Sequence, residues 1–148
     1  LTYHLHVLIR YEIEKELIEG KIMVKNLPEI WNLKYYEYLG VEVPSDALGV
    51  LQDIHWSHGS FGYFPTYTIG SFYAAQFFNQ AKIENPNLLK EIGDGNNRNL
   101  LNWLRKNIHN NGKRLDANQL CEKISGEKLN FKYFKKYVIE KYSAIYSL

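Results

Sequence analysis

Residues 49–67 of this chain read GVLQDIHWSHGSFGYFPTY, so glycines and a proline separate amide, carboxylate, imidazole, phenol and indole side chains. Glycine releases the backbone and proline restricts it, and a regular helix is therefore not expected to run through this segment. Irregular segments that carry polar and aromatic side chains are where binding and catalytic groups concentrate. The segment predicts either the wall of a functional site or a core loop whose aromatic side chains only pack.

Two helices are predicted before this segment. The first ends by Gly20 and carries apolar residues every four positions, at Leu5, Ile9, Ile13 and Leu17. Its charged residues are expected to face mostly outward: Glu12, Glu14, Lys15 and Glu16. The second ends by Gly40, and Asn26 with Glu29 three residues later predicts a capping box at its start.

Four helices are predicted after the segment. The first of them should end before Asn85-Pro86, because a proline disfavours helical geometry in the residue before it. The others are expected near residues 97–109, 116–125 and 131–146, with cap signals at Asp116 with Gln119, Gly126 and Asn130. The chain is thus predicted to be all-α, with about six helices and one irregular loop rich in glycine and aromatic residues.

Composition excludes several classes of partner. With 148 residues, of which 45% are hydrophobic, the chain can bury a core, and its net charge of +2 is too small to indicate nucleic-acid binding. No apolar run is long enough to span a membrane. The single cysteine, Cys121, cannot form an internal disulfide, which favours a reducing cytoplasm.

Five residues of the segment have the spacing GxxQDxHW: Gly49, Gln52, Asp53, His55 and Trp56. This motif resembles that of the thermostable, Taq-type zinc carboxypeptidases, and FGYFPTYTIG at residues 61–70 resembles the sequence that follows it in that family. Residues 5–14 are similar to the opening of the helix after the family's IRxxAD motif, and residues 101–109 to its C-terminal region. The resemblance implies an all-α carboxypeptidase that releases residues from peptide C-termini.

Zinc peptidases of this kind carry HExxH, in which two histidines one helical turn apart hold the metal and the glutamate activates water. HExxH is absent from this sequence, as are the family's HPF, DxRxT, HESQ and IRxxAD motifs. The resemblance therefore implies that residues 1–148 are roughly the C-terminal third of the catalytic domain. Zinc or another divalent metal would bind to the missing N-terminal part, and this chain alone would hold no catalytic metal and be inactive.

Candidate site residues follow from the reaction. Peptide hydrolysis develops negative charge on the former carbonyl oxygen, and donors of the right type for it are His55, Tyr63 and Tyr67. The motif residues predicted to contact substrate are Gln52, Asp53 and Trp56, although for Trp56 packing beneath the loop is favoured over contact with substrate. Asp53 either orients His55 or caps the turn, in which case His55 is an interior histidine. Arg10, on a helix, is a poor candidate for binding a substrate carboxylate.

Two functional hypotheses remain from different classes. The first is a metallocarboxypeptidase in which this chain forms one wall of the cleft that binds peptide substrates. The second is a non-catalytic helical domain whose aromatic loop binds a peptide or protein partner. A serine or cysteine hydrolase is not favoured, because no Gly-x-Ser-x-Gly elbow is present and no histidine is near Cys121 in sequence. Self-association into a homodimer is left open.

Overall fold

The computed structural model of this chain describes residues 2–147, and within them the backbone forms eight α-helices and no β-strand. The helices are α1 Tyr3–Ile18, α2 Leu27–Leu39, α3 Ile54–Ser57, α4 Pro65–Glu84, α5 Leu88–Gly93, α6 Arg98–Asn107, α7 Ala117–Ser125 and α8 Lys132–Tyr146. Short 3₁₀ turns occur at Val24–Asn26, Asp46–Leu48, Val50–Gln52 and His109–Asn111. The all-α prediction is confirmed. None of the helices in the described part of the chain is both long and apolar enough to cross a membrane.

All six predicted helices are present, and α4 ends at Glu84 as the following Asn85-Pro86 indicated. The two helices that the sequence did not predict are α3, with four residues, and α5, with six. Neither completes two turns, so neither produces an apolar periodicity that could be read from sequence.

The chain divides into two compact units, Leu1–Ile69 and Gly70–Leu148. In the first unit, α1 packs against α2, and the core is formed by Ile9, Ile13, Trp31 and Val50. Ile9 and Ile13 have no exposed surface, in agreement with the apolar row predicted for α1. Full burial of such a side chain stabilises the fold by about 1.5–3 kcal/mol, so this row explains why α1 is held against its neighbours.

One prediction for α1 is wrong. Glu14 was expected to face outward with its charged neighbours, but it is only 6% exposed. Its Oε2 accepts a hydrogen bond from Trp56 Nε1 at 3.2 Å, and its Oε1 accepts one from the backbone N–H of Gly62. Burial of this carboxylate is tolerated because both oxygens have donors. Glu14 therefore ties α1 to the irregular segment.

The second unit has its own core, formed by Ala81, Leu88 and Trp103 with partly buried apolar neighbours. A buried amide organises its later part: Gln76 of α4 is fully buried and donates from Nε2 to Ser125 Oγ at 2.8 Å. Its Oε1 accepts from the Asn130 backbone N–H at 2.9 Å. Gln76 therefore fixes the connection between α7 and α8 to α4.

The predicted helix caps have mixed outcomes. The capping box of α7 is confirmed, since Asp116 accepts from the Gln119 backbone and Gln119 accepts from the Asp116 backbone. Gly126 ends α7 in the left-handed conformation, with φ of 77°. The box predicted for α2 is wrong, because Asn26 belongs to a 3₁₀ turn and its side chain makes no capping bond.

These outcomes predict a difference in stability between two similar substitutions. Asp116→Ala should lower the free energy of unfolding by about 1 kcal/mol, because an N-terminal donor of α7 loses its acceptor. Asn26→Ala is the matched control and should change it by less than about 0.5 kcal/mol. Urea unfolding of both variants measures the two values, and equal losses would contradict the assignment of the caps.

Candidate functional site

The carboxylate of Asp53 is the N-cap of α3. Its Oδ1 accepts hydrogen bonds from the backbone N–H groups of His55 at 2.8 Å and Trp56 at 3.3 Å. The distance from Oδ1 to the His55 ring nitrogen Nδ1 is 3.6 Å, which is too long for a direct hydrogen bond. Asp53 thus has the capping position that was one of the two alternatives for it, and it lies beside the His55 ring as well.

Arg10 of α1 binds the other oxygen of this carboxylate. The distance from Arg10 Nε to Asp53 Oδ2 is 2.7 Å, and the exposed fractions of the two side chains are 17% and 2%. Arg10 Nη1 donates to Tyr35 Oη at 2.9 Å and to the His6 carbonyl at 3.0 Å. The guanidinium carbon lies 4.7 Å from the centre of the Trp31 ring, in cation–π geometry.

From sequence, Arg10 was considered only as a ligand of a substrate carboxylate, and the structure shows that it binds Asp53. The sequence contains a pattern that indicates such contacts. His6, Arg10 and Glu14 follow one another at four-residue spacing beside the apolar row of α1. All three contact other parts of the first unit: His6 binds Tyr35, Arg10 binds Asp53 and Glu14 accepts from Trp56. A row of ionisable residues adjoining a buried apolar row indicates a polar network at the edge of a core.

Three of the predicted site residues lie together on the surface of the first unit. His55 Nε2 is 3.0 Å from Tyr67 Oη, and the His55 ring stacks on the Tyr63 ring with centroids 5.9 Å apart. The Tyr63 and Tyr67 rings are in edge-to-face contact at 5.3 Å. Beneath them lies Phe64, which is 2% exposed and 4.7 Å from the His55 ring. The exposed fractions of Tyr63 and Tyr67 are 49% and 37%, so both can be reached from solvent.

The other two predicted contacts differ from one another. Gln52 is exposed, and its Nε2 donates to the backbone carbonyl of Ala47. Trp56 is partly buried against the core cluster, with its ring 6.0 Å from that of Trp31. Trp56 thus occupies the packing position that was the alternative for it.

His4 and His58 have hydrogen-bond partners outside this group, and the His58 ring lies 6.0 Å from the His55 ring. His4 Nδ1 is 3.0 Å from Thr68 Oγ1, and His58 Nδ1 is 3.1 Å from Ser60 Oγ. Among residues 2–147, no three or more histidine, cysteine, aspartate and glutamate side chains converge to hold a metal ion. The described residues therefore do not by themselves fit a metal centre.

Two groups near the site have shifted acidities. Partial burial, followed by the nearby Tyr63, Tyr3 and Asp53, raises the pKa of Tyr67 above its ordinary value. Tyr67 therefore keeps its hydroxyl proton at neutral pH. Partial burial, and then the Arg10 guanidinium, lowers the pKa of His6 below 6.5.

The shift at His6 predicts a pH dependence of stability. Because its pKa is lower in the folded state than in the unfolded state, His6 stabilises the fold above pH 6.5, and this stability is lost as the pH falls through the lower folded value. The free energy of unfolding should therefore decrease between about pH 7 and pH 5. The decrease should be smaller in His6→Asn, in which an amide oxygen faces Tyr35 and cannot titrate.

Urea unfolding at several pH values checks this expectation. The exposed His109 offers a matched control, and His109→Asn should keep the pH dependence of the parent protein. An equal decrease in the parent and in His6→Asn would show that another group is responsible.

Comparison with known proteins identifies the class to which this helical chain belongs. The family profile described as carboxypeptidase Taq (M32) metallopeptidase matches residues 1–142. The chain belongs to this family, and the family expected from the sequence is confirmed.

Individual relatives are considerably longer than this chain. Carboxypeptidase 1 of Bacillus subtilis is 41% identical over 148 residues, which are 100% of this chain and 30% of that protein. Thermostable carboxypeptidase 1 of Thermus thermophilus is 42% identical over 146 residues, or 99% of this chain and 29% of that protein. The crystal structure of the M32 carboxypeptidase from Deinococcus radiodurans R1 aligns with a TM-score of 0.95 at 38% identity, covering 100% of this chain and 30% of that one. The chain thus spans about 30% of the length of these relatives.

Proposed function

We propose that the full-length protein is a metal-dependent carboxypeptidase that releases residues from the C-termini of peptides. In this proposal the chain is the C-terminal portion of the catalytic domain and forms one wall of the substrate cleft. The observation that carries the proposal is the contact of 3.0 Å between His55 Nε2 and Tyr67 Oη, at a solvent-accessible surface, in a chain of a metallopeptidase family.

The chemistry of these residues suits the reaction. Attack of water on a peptide carbonyl places negative charge on its oxygen, and hydrogen-bond donors that face this oxygen stabilise the transition state. Tyr67 is a protonated phenol at neutral pH, since the ordinary pKa of tyrosine is about 10 and partial burial followed by neighbouring groups raises the pKa of Tyr67 further. We assign Tyr67 and His55 as donors to the developing oxyanion, with Tyr63 beside them as a third donor.

The other motif residues have different roles in this proposal. Gln52 is exposed and can offer its amide to the substrate backbone. Asp53 has a nearly buried carboxylate whose two oxygens already accept hydrogen bonds, and Trp56 donates to Glu14. Asp53 and Trp56 therefore act by holding the wall in place beneath the substrate.

The metal belongs to another part of the protein in this proposal. Zinc or another divalent ion would be held by residues that lie N-terminal to this chain in the full-length protein. The relatives contain such a part, since this chain spans only about 30% of their length. When bound, such an ion supplies Lewis acidity and activates water. The 148-residue chain expressed alone is then expected to hold no catalytic metal and to release no amino acids.

Two further proposals concern the setting of the enzyme. A reducing cytoplasm suits a chain with a single cysteine, and Cys121 is buried and unpaired with another cysteine. Association into a homodimer would cover apolar side chains that the chain exposes, such as Ile139 and Ile145 of α8.

The test uses the full-length protein and a pair of matched peptides, one with a free C-terminal carboxylate and one with a C-terminal amide. Mass spectrometry over time should show stepwise loss of residues from the C-terminus of the free acid and much slower loss from the amide. A chelator should stop the reaction, and added divalent metal should restore it. Internal cleavage, or hydrolysis that survives complete metal removal, would contradict the proposal.

A further inference from the structure

We propose that Arg10 is a positioning residue for the reaction: its guanidinium fixes the direction of the His55 side chain by holding Asp53, which caps α3. This inference rests on the proposed function, in which His55 is a donor to the oxyanion. Arg10 is connected to His55 through the carboxylate of Asp53, and its guanidinium also lies 5.9 Å from the ring of Phe64, which packs against His55.

The two carboxylate oxygens of Asp53 bind different parts of the first unit. Oδ2 accepts from Arg10 Nε at 2.7 Å, whereas Oδ1 accepts from the backbone of His55 and Trp56. One carboxylate thus joins α1 to the start of α3. Because its side chain is only 2% exposed, water cannot replace Arg10 as the partner of Oδ2 without rearrangement of the site.

Helix α3, which carries His55, is short. This helix has four residues, Ile54–Ser57, which is little more than one turn and too short to be stable by its own hydrogen bonds. Its orientation therefore depends on its contacts with the rest of the first unit. For His55, the second residue of α3, the nearest such contact is the cap, since its own backbone N–H binds Asp53.

Arg10 is itself held in one orientation. Its Nη1 donates to Tyr35 Oη and to the His6 carbonyl, and its guanidinium lies over the Trp31 ring. Three groups on α1 and α2 thus fix the plane of the guanidinium, while its Nε faces Asp53. A lysine has one terminal nitrogen and no planar fork, so it cannot reproduce these contacts together.

Lys34 of α2 provides a matched control. Its side chain is 16% exposed, compared with 17% for Arg10, and its Nζ forms an ion pair with Glu12 of α1 at 2.8 Å. Lys34 therefore binds a carboxylate of α1 from α2, and the exposed fraction of its side chain is similar to that of Arg10. Its ion pairs are with Glu12 and Glu16, both on α1, so they do not involve the cap of α3.

The experiment compares Arg10→Gln, Arg10→Lys and Lys34→Gln in the full-length enzyme by steady-state kinetics on a peptide substrate and by urea unfolding. A misplacement of about 1 Å in a catalytic group can cost on the order of 10²-fold in rate, and we expect Arg10→Gln to lower kcat by about 10-fold to 10²-fold. KM should change little, because the proposed donors act mainly in the transition state. Arg10→Lys should restore stability more fully than kcat.

Lys34→Gln should destabilise the protein less than Arg10→Gln, because its partner Glu12 is 28% exposed, and should leave kcat within about twofold of the parent value. Equal losses of kcat in Arg10→Gln and Lys34→Gln would overturn the inference, because they would reflect general loosening of the first unit. The inference would also be overturned if both Arg10 variants failed to fold while Lys34→Gln folded, since Arg10 would then be required for stability.

His55→Ala separates this inference from the function on which it rests. If His55→Ala impairs kcat and Arg10→Gln does not, the positioning role is wrong and the proposed site stands. If His55→Ala retains the parent kcat, the proposed role of the site fails, and the inference fails with it.

Discussion

In the full-length protein, His55→Ala is expected to lower kcat by about 10²–10³-fold, the usual cost of removing one donor from an oxyanion site, if His55 has the proposed role. KM should change much less, because the proposed bond from His55 to the substrate oxygen would strengthen only as negative charge develops. Tyr67→Phe, which removes a hydroxyl and keeps the ring, should produce a loss in the same range. The reason is the 3.0 Å contact between the two side chains, which places both donors at the same point of the surface.

Steady-state kinetics with equal metal content in every sample measures these losses. Ser60→Ala is a suitable control, because Ser60 Oγ contacts His58 and lies outside the proposed donor set. Urea unfolding of each variant distinguishes catalysis from packing. If His55→Ala and Tyr67→Phe kept the parent kcat and lost only stability, the glycine- and aromatic-rich segment would have a structural role alone.

Trp31→Ala is expected to have the largest effect on stability among the substitutions considered, with a loss of about 3–5 kcal/mol in the free energy of unfolding. Trp31 is 1% exposed, and its ring stacks on Tyr35 at 4.7 Å and meets Trp56 at 6.0 Å. Truncation to alanine removes these contacts and leaves a cavity between α1, α2 and the segment that carries the site. Domains of this kind are stable by about 5–15 kcal/mol in total, so much of the stability would be lost.

Leu33→Ala, on the same helix, is the control for Trp31→Ala. Leu33 is 63% exposed, and its truncation should change the unfolding free energy by less than about 0.5 kcal/mol. Urea unfolding monitored by circular dichroism compares both variants with the parent. Similar midpoints for the Trp31 and Leu33 variants would contradict the location of the core. Trp31→Phe, expected to lose less, serves as the measurable variant should Trp31→Ala not remain folded.

Elements longer than two turns could be predicted from sequence because their periodicity is a local property. The row Ile9, Ile13 and Leu17 predicted the face of α1 that packs in the core, and Asp116 with Gln119 predicted the start of α7. Proline geometry predicted the end of α4 at Glu84. In each case the physical cause lies within a few residues of chain.

Predictions failed where the partner of a residue is distant in sequence. Glu14 was assigned to the surface because it is charged, yet its partners Trp56 and Gly62 lie more than forty residues away. Arg10 was considered only as a ligand of the substrate, and its partner Asp53, 43 positions along the chain, was missed. The capping box predicted at Asn26 failed for a local reason instead. Asn26 is the last residue of the 3₁₀ turn Val24–Asn26, which holds it in a helical conformation.

The amino-acid sequence by itself determined the all-α class, the six longer helices and the family, because these depend on local periodicity and on motif spacing. Only the tertiary structure decided which polar groups meet: Arg10 with Asp53, Glu14 with Trp56, and His55 with Tyr67. The physical reason is that a buried charge or polar group is stable only beside its partner, and packing of distant segments brings that partner into reach.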